Sequence, residues 1–256
     1  MVRQIKSKLL LFLVLIVFLS INSFGLFSNM SMSEVQAKKS QSKQKSVKIL
    51  TYHCINDKIY GCDYLYVSPT LFEKQMKYLK DNNFTVIEYN QINNVKNIKN
   101  PVVITFDDGY EDNYTYAYPI LKKYKFKATV FLIVDLLDKP HYFKRSQLKD
   151  SEDVFSFQSH TMGHKKLSEL SKDKCEYQLK ESQKEIKEIT HKAVTALAYP
   201  YGDFNQEVET MAKKYYKMIF TTKTAYFKTG ESVTQIPRIS IKRNDNIKAF
   251  TEKIKY

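Results

Sequence analysis

Apolar and polar residues alternate in blocks from residue 47 onwards, and the spacing within the blocks predicts secondary structure. Residues 128–134 form a continuous apolar run, which is typical of a strand buried on both faces of a parallel sheet. Residues 68–83 begin with Ser-Pro and carry apolar side chains at helical spacing, which predicts a capped helix. Similar runs predict strands at residues 47–53, 84–89, 102–106, 154–159, 194–200, 217–222 and 235–241. Amphipathic stretches predict helices at about residues 113–124, 172–190 and 206–216, and a short helix near residue 250.

The order of these elements predicts the fold class. Repeated β–α units favour an α/β fold with a parallel sheet that is closed, or nearly closed, as a barrel. A chain of 256 residues is long enough for one domain of that size. Catalytic groups of such folds collect where strands end and loops begin, so the residues that follow each strand are the candidates for chemistry.

The first 37 residues have a different pattern. Arg3, Lys6 and Lys8 precede an uncharged apolar run at residues 9–21, which is the order of charge and hydrophobicity in an export signal. Counted on to Phe27, the run has nineteen mostly apolar residues, so a retained membrane anchor is an alternative. We therefore expect an exported protein that is extracellular or associated with the cell surface and membrane. The expected boundaries are 1–37 for the signal or anchor, 38–46 for a polar tether and 47–256 for the folded domain.

The net charge and the cysteines say less about the function of the protein than the N-terminal segment does. The net charge is +14 at pH 7, and the lysines are spread in pairs without a dense arginine cluster. We therefore prefer a solvated surface to nucleic-acid binding, and a basic surface also suits an anionic cell envelope. The three cysteines contain no C-x-x-C spacing, and the sequence leaves open whether Cys54 pairs with Cys62 or all three thiols are unpaired.

Polar residues follow several of the predicted strands, as the fold class requires. They are His53, the pair Asp107 and Asp108, His160, and the pair Pro200 and Tyr201. His164 lies four residues after His160, a spacing that brings two imidazoles to one side of a tight turn. Two neutral imidazoles and one carboxylate form the three-ligand site of catalytic zinc, and a second carboxylate could act as a base. Taken alone, the histidine pair is also consistent with two solvated surface side chains.

Three motifs, in this order, resemble those of a known family. The segments TFDDGY at 105–110, SHTMGH at 159–164 and AYPYG at 198–202 are similar to the first three motifs of polysaccharide deacetylases of the NodB-homology, carbohydrate esterase 4 type. The resemblance covers about residues 47–241, which is nearly all of the predicted domain. It implies a distorted (β/α) barrel in a single domain.

The resemblance also implies a set of site residues. It implies a divalent metal held by Asp108, His160 and His164, with Zn²⁺ the first choice and Co²⁺ or Ni²⁺ as alternatives. By the same resemblance Asp107 is the general base. The backbone N–H of Tyr201 would then help to bind the oxyanion of the tetrahedral intermediate.

The chain departs from the family's pattern in three places. Ala198 stands where the third motif usually begins with an arginine that orients the base, there is no tryptophan for the fourth motif, and no histidine after His191 supplies the general acid. In the extracellular poly-β-1,6-N-acetylglucosamine deacetylases of the family, a Tyr-His pair on the first strand supplies that acid. The segment ILTYHCI at 49–55 resembles this strand, so the resemblance gives the role to His53. Arg238 is the candidate for the missing arginine.

The implied activity is removal of N-acetyl groups from N-acetylglucosamine units of an extracellular polysaccharide, with poly-β-1,6-N-acetylglucosamine as the first candidate. Peptidoglycan and chitin-like polymers are alternative substrates, and a non-catalytic carbohydrate-binding surface protein is an alternative function. Adjacent aspartates are poorly placed to flank a glycosidic bond, which argues against a two-carboxylate glycosidase. Tyr110, Tyr142 and Pro200 are candidate substrate contacts. We expect a monomer, membrane association only through the N-terminal segment, and positions outside the catalytic centre for His141 and His191.

Overall fold

Strands and helices alternate through residues 44–255, the part of the chain that the computed structural model describes. The predicted signal or anchor at residues 1–37, and residues 38–43 of the predicted tether, lie outside the described residues. From Lys45 onwards the chain forms one compact unit. The boundaries expected from the sequence therefore stay predictions.

Eleven strands form two sheets in this part of the chain. They are β1 (Ser46–Tyr52), β2 (Cys54–Ile55), β3 (Tyr66–Val67), β4 (Thr85–Val86), β5 (Pro101–Phe106), β6 (Ala128–Leu132), β7 (Phe155–Ser159), β8 (Ala196–Ala198), β9 (Met218–Phe220), β10 (Phe227–Lys228) and β11 (Ile239–Ser240). β2 and β3 form a small separate sheet. The others form one sheet in the order β10-β1-β5-β6-β7-β8-β9, with β11 also on β1 and β4 on β5. Its pairings are parallel except that of β1 with β10.

The large sheet curls until its two ends are joined by one segment of chain. Phe220, at the end of β9, makes a parallel bridge to Ile236, and β11 at residues 239–240 pairs with β1. Residues 236–240 therefore bond to both ends of the sheet. Pro237, which has no backbone N–H, lies where this segment passes from one end to the other. The predicted distorted barrel in a single domain is confirmed.

Six α-helices accompany the sheet in the described residues. They are α1 (Pro69–Asp81), α2 (Tyr118–Tyr124), α3 (Arg145–Asp150), α4 (Lys172–Thr190), α5 (Gln206–Ala212) and α6 (Ile247–Ile254). A π-helical turn at Asn113–Ala117 leads into α2. Ser68 caps α1, since its hydroxyl accepts a hydrogen bond from the N–H of Leu71 at 3.1 Å. The predicted helix at residues 172–190 agrees with α4.

Alternation along β5 sends its side chains to two apolar clusters. Val102, Ile104 and Phe106 belong to the cluster that the sheet shares with the helices. Val103 belongs to a second cluster, which is built from strands at both ends of the sheet and therefore lies inside the curl. Asp107 lies four residues after Val103, so its side chain points to the same face of the sheet. The first carboxylate of the Asp-Asp pair is therefore directed into the curl.

Two predicted strands are much shorter in the structure. Residues 84–89 contain only β4, followed by a 3-10 turn at Tyr89–Gln91, and residues 235–241 contain only β11. The apolar pattern indicates which residues are buried. A strand also needs a neighbouring strand to pair with along its whole length, and the pattern contains no information about that neighbour. The hydrophobic pattern does not predict the strands β2, β3 and β10, because two-residue strands carry no periodic signal. It also does not predict the six-residue helix α3, which is less than two turns long.

Two further findings concern the envelope-related predictions. No helix within residues 44–255 is long and apolar enough to cross a membrane.

Cys54, Cys62 and Cys175 are all free thiols, and Cys62 is exposed while the other two are buried. The sequence left open whether Cys54 pairs with Cys62 or all three thiols are unpaired, and in the structure all three are unpaired.

Candidate active site

Asp107 lies at the carboxyl end of β5 and forms a two-point ion pair with Arg238. Nη1 of Arg238 donates to Oδ1 of Asp107, and Nη2 donates to Oδ2, both at 2.7 Å. Both residues are buried, with 4% and 3% of their surfaces exposed. Burial alone would raise the pKa of Asp107, but the Arg238 guanidinium and the nearby histidines outweigh it and hold this pKa below its usual range. The carboxylate is therefore ionised and fixed in orientation.

Arg238 is itself held from several sides. Its Nε donates to the carbonyl of Thr221 at 3.1 Å, and its Nη1 also donates to Oγ1 of Thr105 at 3.3 Å. The guanidinium carbon lies 5.5 Å from the ring centre of Phe131 and 5.9 Å from that of Phe220. Aromatic faces of this kind suit a planar guanidinium better than an ammonium group. The structure thus places Arg238 beside the predicted base, 131 residues away in sequence.

Asp108, His160 and His164 come together at the rim of the sheet. Oδ1 of Asp108 lies 3.4 Å from Nε2 of His160 and 3.5 Å from Nε2 of His164. One ligand atom from each of the three residues lies within 4.8 Å of the others. Burial opposes the charge of Asp108, but the hydrogen bond from His160 and the charges of the neighbouring histidines keep its pKa below its usual range. The three predicted metal ligands are therefore grouped in space.

The chemistry of these donors fits a divalent metal. Nδ1 of His160 lies 2.8 Å from the carbonyl oxygen of Ala198. Because a carbonyl only accepts, Nδ1 carries a hydrogen, and Nε2, which faces Asp108, is the nitrogen that could bind a metal once it has given up its proton. Tetrahedral coordination at about 2.0–2.2 Å places ligand atoms about 3.3–3.6 Å apart, which matches the two separations from Asp108. Burial, reinforced by the charge of His160, lowers the pKa of His164 to about 4, so this imidazole is neutral and able to ligate at neutral pH.

Several site residues have a left-handed backbone. Asp108, Thr161 and Tyr201 have φ angles of 70°, 69° and 61°. Positive φ is uncommon for residues other than glycine and a clear outlier for β-branched threonine. Such strain persists only where the surrounding structure enforces it, and it clusters at functional sites. Gly109 has φ +75°, and a Cβ there would lie 2.8 Å from Cδ2 of Leu132, so a larger residue directly after the Asp-Asp pair would be strained and would force Leu132 to shift.

His53 follows β1 and lines the cleft above these groups. Its charge contributes to the lowered pKa of both Asp107 and Asp108, so the three residues lie near one another. Nδ1 of its ring is buried and has no hydrogen-bond partner among the described residues. Its backbone carbonyl, in contrast, accepts a hydrogen bond from Nδ2 of Asn113 at 2.8 Å. The structure therefore brings the predicted acid to the same rim as the predicted base and the metal cluster.

The cleft has a volume of about 1050 Å³, larger than most small-molecule sites. Tyr110 and Tyr142 line it, and their rings stack with centres 5.1 Å apart. Tyr201 also lines it, with its ring centre 4.5 Å from that of His164. Pro200, predicted to contact substrate, is buried and does not line the cleft. It begins the turn that presents Tyr201.

His141 and His191 lie outside the cleft. His141 is exposed and stacks on Tyr60 with ring centres 4.5 Å apart, and His191 is the C-cap residue that follows Thr190, the last residue of α4. Sequence analysis missed Asp112 and Asn113, which bond to the segment that carries His53. Their one signal in the sequence is their position two and three residues after TFDDGY. It also missed residues of the cleft wall such as Lys242, which belong to no motif.

Comparison with known proteins identifies one family. A polysaccharide deacetylase family model matches residues 94–218. A Bacillus subtilis (strain 168) protein provisionally named a polysaccharide deacetylase is 31% identical over 215 residues, covering 81% of this chain and 76% of that protein. A poly-β-1,6-N-acetyl-D-glucosamine N-deacetylase of Staphylococcus aureus (strain MRSA252) is 28% identical over 208 residues, covering 69% of this chain and 72% of that protein.

A solved structure agrees with these sequence matches. The crystal structure of a polysaccharide deacetylase from Bacillus cereus has a TM-score of 0.78 at 35% identity, covering 83% of this chain and 70% of that one. Deacetylases of this type depend on a metal, and Asp108, His160 and His164 are a possible site for one. The chain belongs to the polysaccharide deacetylase family of the NodB-homology, carbohydrate esterase 4 type, and is a deacetylase of the hydrolase class.

Proposed function

We propose that this protein uses a divalent metal ion to hydrolyse the acetamide of N-acetylglucosamine units in an extracellular polysaccharide. One observation carries the proposal: two adjacent aspartates are held in different ways at one rim. Asp107 is locked by Arg238, whereas Asp108 faces His160 and His164. This division supplies one carboxylate to accept a proton and another to bind a metal, as metal-assisted amide hydrolysis requires.

Asp108, His160 and His164 would hold the ion, and Zn²⁺ is our first choice. Two imidazoles and one carboxylate are a ligand set of catalytic zinc sites, which keep a position open for water or substrate. Co²⁺ and Ni²⁺ are alternatives because imidazole also binds the neighbouring first-row metals. When bound, the ion supplies Lewis acidity, which makes water a better nucleophile and polarises the acyl oxygen.

Asp107 would take the proton from water as the water oxygen attacks the acetyl carbon. The two-point contact with Arg238 holds both carboxylate oxygens in one orientation. The lowered pKa keeps Asp107 ionised, and therefore able to accept a proton, at neutral pH. We infer that Arg238 has the orienting role of the arginine that the family usually places at the position of Ala198.

His53 would donate a proton to the nitrogen of the departing sugar. An amine is a poor leaving group unless it is protonated, so the carbon–nitrogen bond breaks as this proton arrives. Acetate is released, and a glucosamine unit remains in the polymer. The backbone N–H of Tyr201 would help to hold the oxyanion of the tetrahedral intermediate, and loss of one such donor typically slows turnover by about 10²–10³-fold.

The cleft and the relatives support a polymeric substrate. Tyr110, Tyr142 and Tyr201 line an open cleft of about 1050 Å³, and their ring faces offer apolar surface to sugar rings. A relative at 28% identity bears the name poly-β-1,6-N-acetyl-D-glucosamine N-deacetylase, which makes that polymer our first candidate. Peptidoglycan and chitin-like polymers are the alternatives. We also propose that the protein is exported and acts as a monomer, with residues 1–37 as its signal or membrane anchor.

Acetate release from defined polymers tests this proposal. The purified protein would be incubated with poly-β-1,6-N-acetylglucosamine, peptidoglycan and chitin oligomers, each with and without a chelator, and then with Zn²⁺ restored. We expect the fastest release from the first polymer, loss of release with the chelator and recovery with Zn²⁺. Faster release from peptidoglycan would change the substrate and keep the chemistry. Polymer binding without acetate release or a stoichiometric metal would contradict the proposal and favour a carbohydrate-binding protein.

A further inference from the structure

We propose that Asp112 and Asn113 are positioning residues that hold His53 against the turn carrying Asp107 and Asp108. The proposal rests on the proposed function, in which His53 is the proton donor. Asp112 and Asn113 lie outside the three motifs that mark the family in this chain, at the start of the π-helical turn, which Asn113 begins and Asp112 directly precedes.

Two hydrogen bonds join these residues to the segment around His53, and a third links them to each other. Nδ2 of Asn113 donates to the carbonyl of His53 at 2.8 Å. Oδ1 of Asp112 accepts from the N–H of Ile55 at 3.0 Å and from Nδ2 of Asn113 at 2.9 Å. The backbone at His53 and two residues beyond it is therefore tied to one pair of adjacent side chains.

The geometry of Asn113 is well defined. It is fully buried, with no exposed surface. Both partners of its Nδ2, a carbonyl and a carboxylate, only accept hydrogen bonds, so the orientation of the amide group is fixed by chemistry. Asn113 also begins the π-helical turn Asn113–Ala117. Such turns are rare and occur frequently at functional sites.

The backbone of His53 needs such partners because it lies between two strands. β1 ends at Tyr52 and β2 begins at Cys54, so His53 belongs to neither. On its other side, the carbonyl of Tyr52 accepts from the N–H of Asp107 at 3.0 Å. Hydrogen bonds to the turn that follows β5 therefore flank His53 on both sides. Since Nδ1 of its ring has no partner among the described residues, the hydrogen bonds that orient this histidine act on its backbone.

This arrangement matters for catalysis because proton donation depends on distance. A general acid must come within hydrogen-bond reach of the atom it protonates. A displacement of about 1 Å can cost about 10²-fold in rate. Removing either side chain should therefore slow proton donation while Asp107, Arg238 and the metal ligands keep their own contacts.

Comparing an amide with an activated ester separates this effect from general damage. In the amide, water oxygen bonds to the acetyl carbon, the carbon–nitrogen bond breaks, and the nitrogen leaves with a proton from His53. In 4-nitrophenyl acetate the carbon–oxygen bond breaks, and the phenolate leaves without needing a proton. A variant that misplaces His53 therefore slows amide hydrolysis selectively. A variant that damages the fold or the metal site slows both reactions.

The main test uses Asn113→Ala in the full chain. We expect acetate release from the acetylated glucosamine polymer to fall by about 10²-fold, while 4-nitrophenyl acetate hydrolysis and metal content stay close to those of the wild type. Asn205→Ala is the matched control, because Oδ1 of Asn205 accepts a hydrogen bond from the N–H of Val208 at 2.9 Å at the start of α5. It loses one side-chain hydrogen bond away from His53 and should leave the amide-to-ester ratio unchanged.

A second pair of variants keeps the test decisive if Asn113→Ala does not fold. Asp112→Ala removes the acceptor for Ile55 and Asn113, and should lower the amide-to-ester ratio. Asp112→Asn retains an oxygen at Oδ1 and should restore the wild-type ratio. Equal ratios in Asp112→Ala and the wild type would overturn the positioning role.

The possible failures are distinguishable. If the wild type releases no acetate from any acetylated glucosamine polymer, the proposed function is wrong. If His53→Ala slows amide and ester hydrolysis equally, His53 is not the proton donor, and the positioning role falls with it. If His53→Ala slows only the amide but Asn113→Ala and Asp112→Ala slow both reactions equally, the positioning role alone is overturned.

Discussion

Asp107 and Asp108 are adjacent in the chain, yet they lie in different environments. Asp107 is directed into the curl of the sheet and paired at two points with Arg238. Asp108, with φ of 70°, stands at the rim near His160 and His164. Strand alternation sends one carboxylate inward, and the left-handed turn places the next one among the histidines. A single strand end thereby gives two identical side chains different chemical uses.

Two histidines at the same rim differ in a related way. The ring of His160 is fixed, since its Nδ1 donates to the carbonyl of Ala198 at 2.8 Å. His53 is fixed instead through its backbone carbonyl, which accepts from Asn113. A metal ligand must present one nitrogen at all times, whereas a proton donor must gain and lose a proton in each cycle. The two modes of attachment suit these two proposed roles.

The largest expected effect comes from Asp108→Ala, which removes the carboxylate of the metal cluster. Mutation of a residue that only supports a ligand already costs about 10–100-fold in metal affinity, so loss of the ligand itself should cost more. We expect metal content, measured by inductively coupled plasma mass spectrometry, and acetate release to fall together. Asp81→Ala removes an exposed aspartate at the end of α1 and should preserve both. Full metal content with normal turnover in Asp108→Ala would remove Asp108 from the metal site.

Arg238→Met should have the next largest effect, because it leaves Asp107 buried without its partner. Breaking a buried ion pair from one side typically costs about 3–5 kcal/mol of unfolding free energy. The pKa of Asp107 should also rise, since burial would be less strongly opposed. Urea unfolding and acetate release measure both consequences. Arg238→Lys keeps the charge but loses the two-point contact, so we expect it to lie between the wild type and Arg238→Met; an unchanged urea midpoint in Arg238→Met would argue against a structural role for the pair.

Gly109→Ala tests the turn that separates the two aspartates. A left-handed backbone costs a non-glycine residue about 1–2 kcal/mol, and the new Cβ would lie 2.8 Å from Cδ2 of Leu132. We expect lower stability and a joint decrease in metal content and turnover. Gly230→Ala is the control, because Gly230 has φ +88° and a Cβ added there would meet nothing within 4 Å. Equal destabilisation by the two substitutions would mean that the contact with Leu132 is unimportant.

Asp112→Asn should have the smallest effect on turnover, and its effect on stability should depend on pH. Burial, opposed by hydrogen bonds and reinforced by the charge of Glu111, raises the pKa of Asp112 to about 6. A raised pKa means that the stability contributed by this group is present below its unfolded pKa of about 4 and is lost as the pH rises through about 6. The neutral variant should therefore be more stable than the wild type by up to about 3 kcal/mol at pH 8, since each unit of pKa is worth about 1.4 kcal/mol, and similar to it at pH 4. Melting temperatures at the two pH values measure this difference, and a gap of the same size at both would show that ionisation of Asp112 is not its source.

Much of the site could be predicted because its residues follow strands with strong patterns. The apolar run before Asp107 ends where the carboxylates begin, and the fold class then places His53 and His160 at the same rim. The contact of Arg238 with Asp107 spans 131 residues, so local periodicity contains no information about it, and Arg238 becomes a candidate only because the family's usual arginine is absent at Ala198. The contacts of Asn113 with His53 depend on a π-helical turn, which no simple spacing predicts. The two-residue strands are set by their neighbours and not by their own sequence.

The metal content and turnover of Asp107→Asn test the division of labour between the two aspartates most directly. Asparagine has the size of aspartate but is not a base, and Asp108, His160 and His164 are unchanged in this variant. We predict wild-type metal content with acetate release slowed by about 10²–10⁴-fold, the usual contribution of general acid–base catalysis. Near-normal turnover with full metal content, or loss of the metal together with the activity, would contradict the assignment of Asp107 as the base.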